Sequence, residues 1–239
     1  MLRKDCYLSD FLLLAISDMR DKAICVAGIE PETLEWIRPV KQGYHCLFEE
    51  HVEWFPPNTI LEVPFYAKQL RPLEEDPYGL HSEDEVITGP PTTVSKLTAT
   101  QKRNILNKAV DRNLKKALGT PGRSLFLVCV EDFRCSFKDE TDLRVEFKGG
   151  NTTNTDLRKY LYSNVPHIGL SPKGLPCRVR GWLDFVRPLR RGLYLDYEDI
   201  LRMDPNAEVF FALSLSGLLH GKHWLILAGI HIVGEEIWL

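Results

Sequence analysis

Residues 23–40, AICVAGIEPETLEWIRPV, constrain the fold of this chain more than any other stretch. They hold two apolar runs, 23–29 and 34–40, separated by Glu30-Pro31-Glu32-Thr33, an insert whose proline fixes φ near −65° in advance. That pattern predicts a β-hairpin. Alternation in the second run sets Leu34, Trp36 and Arg38 on one face and Glu35, Ile37 and Pro39 on the other. Pro39 has no N–H to give a ladder, so this strand is expected at an edge or near its own end. Trp36 is expected in the core, as tryptophans on barrel strands usually are. A buried Arg38 would need a carboxylate or several carbonyls, making it either a structural clamp or a ligand contact.

The rest of the chain repeats this style. Fifteen Pro and sixteen Gly are spread over 239 residues, which suits many short elements punctuated by turns. Strands are predicted at 11–16, 59–68, 85–88, 124–131, 143–148, 177–185, 208–215 and 224–233. Pro64 marks 59–68 as an edge or bulged strand. Residues 71–93, acidic and holding Pro72, Pro77, Pro90 and Pro91, read as a linker or long surface loop. One long helix is expected at 100–118, with Leu106, Val110, Leu114 and Leu118 at helical spacing and Gly119 and Pro121 as stop signals. Shorter helices are expected at 156–162 and 196–202. The fold class is therefore β-rich, all-β with minor α, divided at about 92 into 1–92 and 93–239. Two echoes, 27–29 with 228–230 and 36–39 with 185–188, occur in opposite order and hint weakly at duplication.

Net charge is −3, but acids crowd 49–85 and bases crowd 96–123, and blocks of this kind create local fields that steer charged partners. The six cysteines show no C-x-x-C spacing. Cys25 and Cys129 lie inside apolar runs, as free thiols in a reducing compartment do. The early apolar stretch 11–16 is too short to span a bilayer. A cytoplasmic protein without membrane segments is expected.

Runs 12–17 (LLLAIS), 25–29 (CVAGI) and 35–40 (EWIRPV), followed in order by 124–128 (SLFLV), 143–147 (LRVEF), 213–215 (LSL) and 225–230 (LILAGI), resemble the family of dual OB-containing domains. The resemblance covers most of the chain. It implies two OB-like β-barrels, with nucleic-acid handling or ligand sensing in bacterial conflict systems, and the long helix read from its spacing is expected to connect them. It supplies no catalytic residue, and segments 71–93 and 149–156 fall outside it.

OB barrels bind single strands by stacking bases on aromatic rings while a basic groove follows the backbone. The densest cluster of that composition is Arg178, Arg180, Arg187, Arg190 and Arg191 around Trp182. Arginine can fork onto a phosphate and also stack on a base. With Lys102, Arg103, Arg112 and Lys116 of the basic helix, and Arg38, these residues form the expected nucleic-acid surface, single strands being favoured as partner. The competing structural reading puts Trp182 and Phe185 in the core and pairs the arginines with Asp184, Asp196 and Glu198.

The enzymatic alternative rests on Glu146-Phe147-Lys148, with Asp132 upstream. Metal-dependent nucleases set an Asp and a Glu around a divalent ion and a Lys near the attacked phosphate, and residues two apart on a strand share a face. A third reading is a nucleotide-sensing or protein-interaction module using the acidic loop. His45, Cys46 and His51 match no zinc spacing, so no metal site and no cofactor is predicted. Acyl transfer and P-loop nucleotide hydrolysis have no motif to support them.

Overall fold

The hairpin forms as β2 (Ala23–Ile29) and β3 (Trp36–Val40), antiparallel with Gly28 opposite Ile37 and Ile29 opposite Trp36. The computed structural model describes residues 6–19, 21–69, 71–137, 142–180, 182 and 196–235. The chain is mostly β. It divides into two compact units, residues 1–108 with 121–124, and 109–120 with 125–239. The segment 93–108 thus belongs with the first unit.

In the first unit β1 (Tyr7–Asp18) pairs β2 on one side and β5 (Thr59–Lys68) on the other. β3 runs parallel to β6 (Asp84–Ile87), and β6 returns to β5, closing a five-stranded barrel. Counting only these five strands, the ring order is 1-2-3-5-4, the Greek-key closure of an OB barrel. β4 (Leu47–Phe48) extends the ladder on β2, and β7 (Thr92–Lys96) pairs the first half of β5. Pro64 sits where β5 changes partner from β7 to β6, a place where a missing donor does little harm. Phe11, Ile24, Val26, Ile37, Leu47, Phe55, Leu61, Val63 and Phe65 fill the interior.

The hairpin's inner face is therefore that of Ile37. Trp36 is half-buried rather than core, and the fully buried large side chain on its own face is Arg38. Segment 71–93 corrects the linker reading: Asp76, His81, Glu83, Asp84 and Glu85 in it are all buried. Their carboxylates are occupied. Asp76 accepts the N–H groups of Leu80 and His81, Glu83 accepts the N–H and hydroxyl of Ser124, and Asp84 accepts from Arg38 and Arg71. An acidic composition looks like a surface loop until its partners are known.

The second unit repeats the order. β8 (Leu125–Phe137) pairs β9 (Leu143–Gly149) and β13 (Glu208–Leu219), and β13 pairs β14 (Lys222–Val233). The short β12 (Leu175–Pro176) pairs β9, and the next residue, Cys177, bridges Leu227 of β14 in parallel. The result is a curled half-barrel with the same 1-2-3-5-4 sequence of neighbours. β10 (Thr152–Thr153) and β11 (Ile168–Gly169) sit at its margins. The architecture is duplicated, yet the sequence echo does not mark it: Ala27-Gly28 lies on the second strand of its unit and Ala228-Gly229 on the fifth.

The expected long helix is two. α1 (Ala99–Ala109) stops, and α2 (Leu114–Leu118) begins only after Asp111 exchanges hydrogen bonds with the backbone of Leu127. Asn113, extended at φ −135°, caps α2 by accepting the Lys116 N–H. Asp and Asn prefer such local bonds to a helix interior. α3 (Asn154–Asn164) and α4 (Tyr197–Met203) are close to the helices read from sequence.

Candidate phosphate cleft on the second barrel

Asp132 and Lys148 face each other across the β8–β9 ladder, and Arg134 faces Glu146 one step along the same outer face. All four are exposed, while Phe133 and Phe147 between them turn inward and pack on Phe211 at 5.4 and 6.0 Å. Alternation across the strand produces this division. The polar residues line a cavity of about 390 Å³ with Thr153, Asn154, Thr155, Asp196 and Glu198. The three residues of the nuclease alternative, Asp132, Glu146 and Lys148, therefore share one site.

Three local devices build it. Residue Glu131 is the extra residue of a β-bulge, since Val130 pairs Gly149 and Asp132 pairs Lys148. A bulge turns two successive side chains outward; Glu131 and Asp132 are both exposed, and Glu131 takes the Lys148 ammonium at 2.8 Å. That hydrogen bond holds the lysine above its usual pKa. The second device is the tight turn Gly150-Asn151, both at positive φ (57° and 58°), which returns the chain as β10. From there α3 starts: Thr153 caps it by accepting the Asp156 N–H, and the Asn154 amide accepts the Phe147 N–H at 2.8 Å, pinning the helix start to β9. The third is a single bridge between Arg134 and Asp196, whose side chain caps α4.

The lining carries four carboxylates against two cations, so the cleft holds an excess of two negative charges. At one end stands the positive end of the α3 dipole, which favours anions. Asp132 and Glu146 occupy diagonal positions on the ladder, with Cα atoms about 7–8 Å apart in such pairs. This spacing suits two carboxylates sharing a hard cation that keeps part of its water.

The expected nucleic-acid residues divide between the two units. Arg38 is buried against Asp84 and Ser124. Lys102 is 2% exposed, its amine donating to the side-chain Oδ1 of Asn58 at 2.6 Å, so neither presents a charge at the surface. Trp182 is buried, in agreement with the competing structural reading rather than with a stacking platform. Arg103 and Arg180 are half-buried, while Arg112, Lys116 and Arg178 are exposed. Asp184, Phe185, Arg187, Arg190 and Arg191 lie outside the described residues. Sequence reasoning missed Arg134, Thr153, Asn154 and Thr155, and read Asp196 and Glu198 only as partners for the arginines. Arg134 was reachable, two residues from Asp132 on a strand, but the others come from elements whose placement a strand pattern does not give.

No helix among the described residues is long and apolar enough to cross a membrane. No family model and no curated protein matches the sequence. Among solved structures, one described as "Molecular basis for abrogation of activation of pro-inflammatory cytokines" aligns over 97% of this chain and 97% of its own, at 12% identity and a TM-score of 0.32. A likeness of that size carries no functional argument.

Proposed function

We propose that this protein acts on nucleic acid and that the β8–β9 cleft is a divalent-cation-dependent phosphodiester site. One observation carries the reading: Asp132, Glu146 and Lys148, singled out by their chemistry, line one cavity beside the start of α3. A polyanion is repelled by a cleft with two excess negative charges unless a cation accompanies it. Asp132 and Glu146 are the groups to hold Mg²⁺ or Mn²⁺. Arg134, Lys148 and the α3 N-terminus are the groups to meet the phosphate oxygens. In hydrolysis a water oxygen bonds to phosphorus, one P–O ester bond breaks, and the leaving alkoxide takes up a proton.

The repeated 1-2-3-5-4 order supports including the chain among dual OB-containing domains, as its sequence suggests. A role in bacterial conflict rests on that resemblance alone. The second reading, binding without cleavage, is favoured by the exposure of Arg112, Lys116 and Arg178.

Labelled single-stranded DNA and RNA, incubated with Mg²⁺, Mn²⁺ or a chelator, separate these readings. Metal-dependent cleavage that Glu146→Gln lowers at least tenfold supports the cleft. Binding indifferent to metal and to Glu146→Gln, but weakened by Lys116→Glu and Arg178→Glu, supports the second reading. No binding of either oligonucleotide at low salt, with or without metal, overturns both.

A further inference from the structure

The outer face of the first barrel carries a pair of cysteines to which the cleft gives no role. In the β2–β4 ladder Ala23 pairs Phe48 and Ile24 pairs Leu47, and its register, continued one step past this last pair, sets Cys25 against Cys46. The Glu49 N–H donates to the Lys22 carbonyl at 3.0 Å, which makes 22/49 a hydrogen-bonded position. Hydrogen-bonded and non-hydrogen-bonded positions alternate along an antiparallel ladder. Positions 24/47 are thus bonded, and 25/46 is non-bonded, the kind at which opposed Cα atoms approach to about 4.5 Å. Disulfides span Cα separations of about 4.4–6.8 Å.

Side-chain direction agrees. Ile24 and Leu47 are buried in the barrel core, so their neighbours Cys25 and Cys46 turn to the other face, where both are half-buried free thiols. Burial and the nearness of Cys25 push the Cys46 thiol pKa up, while Arg71 pulls it the other way. The backbone at Cys46 is fixed, because its carbonyl accepts the Lys41 N–H at 3.1 Å and closes the 41–46 turn.

We propose that Cys25 and Cys46 form a reversible redox pair that closes to a disulfide under peroxide. Hydrogen peroxide oxidises one thiol to a sulfenic acid and releases water. The second thiol then attacks that sulfur, the S–S bond forms and a second water leaves. Closure ties β2 to the end of the 41–46 turn. That turn carries His45, whose Nδ1 lies 3.6 Å from the buried carboxylate of Asp84. The staple therefore locks the turn against the ion-pair cluster that organises this unit.

Cys135 and Cys177 provide an internal contrast. Cys135 pairs Val145 from one side of β9, and the Cys177 N–H donates to Leu143 from the other. Two strand spacings, about 9.6 Å, separate residues so placed, too far for a disulfide.

The test treats the intact protein with hydrogen peroxide, alkylates remaining thiols and digests it with trypsin. The expected product is peptide 23–41 joined to peptide 42–68, two hydrogens lighter than the sum of the two, and released by dithiothreitol. The thermal midpoint is expected to rise by several degrees on oxidation and to return on reduction. Cys25→Ala and Cys46→Ala should each abolish the joined peptide. The wild-type readout needs neither variant to fold. Separate alkylation of Cys25 and Cys46 after oxidation, or a bond from either to a different cysteine, overturns the proposal.

Discussion

Lys148 stands opposite Asp132 on the ladder, but its ammonium bonds Glu131, the bulged residue beside it, at 2.8 Å. The bulge therefore decides where the cleft's lysine points. Both partners are largely exposed, so solvent screens the pair and it contributes little. A phosphate entering the cleft competes easily with that bond. Glu131→Gln should release the lysine and tighten single-stranded oligonucleotide binding by roughly a few fold, the modest effect expected of a solvent-screened pair. Fluorescence anisotropy at fixed low salt with Mn²⁺ measures it. Unchanged affinity would show that Lys148 does not face the phosphate.

The strands on which this geometry stands were legible in the sequence because their periodicity is strong. β2 and β5 have the limits their pattern predicts and β9 ends one residue later, whereas β8 runs on to Phe137, past the predicted end at 131. The ring closures were not legible: the third strand of the second unit is a two-residue element whose partner lies some fifty residues on, and no local pattern encodes that. The helix break failed for another reason. Leu106, Val110 and Leu114 keep helical spacing through Asp111 and Asn113, whose side chains bond locally and win. In the site, Glu146 and Lys148 were found because they alternate on one strand, whereas Asp196 reaches the cleft through a single tertiary bridge.

The buried pair Arg38–Asp84, at 3.0 Å, gives a stability prediction for the first barrel. Burial alone would lower the Arg38 pKa, but the carboxylates of Asp84 and Glu83 outweigh it and keep the guanidinium charged. Arg38→Met removes one charge and leaves Asp84 to Arg71, and opens the Ser124 contact. Loss of one partner from a buried pair costs about 3–5 kcal/mol, with Arg71 placing this case toward the lower end. Urea unfolding followed by tryptophan fluorescence measures the change. A loss under about 1 kcal/mol would mean that the cluster is dispensable.

Acid should reveal the same cluster. Burial pushes the Asp84 pKa up, but Arg38, His45 and Arg71 together bring it down to about 2. A carboxylate depressed in the folded state contributes stability that is complete above its unfolded pKa, near 3.9, and disappears as pH falls toward 2. The contribution is about 2 kcal/mol at neutral pH. Asp84→Asn should flatten the stability curve between pH 4 and 2 relative to wild type. An unchanged slope there would assign acid sensitivity to other groups.

Lys102 predicts a trend in the alkaline range. Burial lowers its pKa to about 8, below the unfolded value near 10.4. Between those values the unfolded chain holds the proton more tightly, so stability rises with pH from about 8 to about 10.4. The charged amine costs about 3 kcal/mol below that window. Lys102→Met should remove the slope and raise stability at pH 7 by about 1–2 kcal/mol, the rest being offset by the Asn58 oxygen left without this donor. Chemical denaturation at pH 7 and pH 10 is sufficient. A destabilised variant would show that the amine's hydrogen bond outweighs its burial.

Each unit bends its first strand by a bulge next to a glycine of its second, and the glycines give the sharpest packing prediction. In the first barrel Leu14 is the extra residue beside Gly28; in the second, Glu131 is the extra residue beside Gly149. A Cβ on Gly28 would stand 2.1 Å from the Leu12 carbonyl oxygen and 2.6 Å from the Phe11 ring, and one on Gly149 would stand 2.4 Å from the Cys129 carbonyl oxygen. Backbone atoms in a ladder cannot yield without breaking pairs. Gly28→Ala and Gly149→Ala should each cost about 3 kcal/mol or more. Their consequences separate by unit: Gly149→Ala displaces the bulge that aims Glu131 and Asp132, so it should also weaken metal-dependent oligonucleotide binding in the fraction that remains folded. Gly28→Ala should leave that binding per folded molecule unchanged. Comparing anisotropy titrations of the two variants, normalised to folded protein by circular dichroism, distinguishes loss of the cleft from loss of the fold.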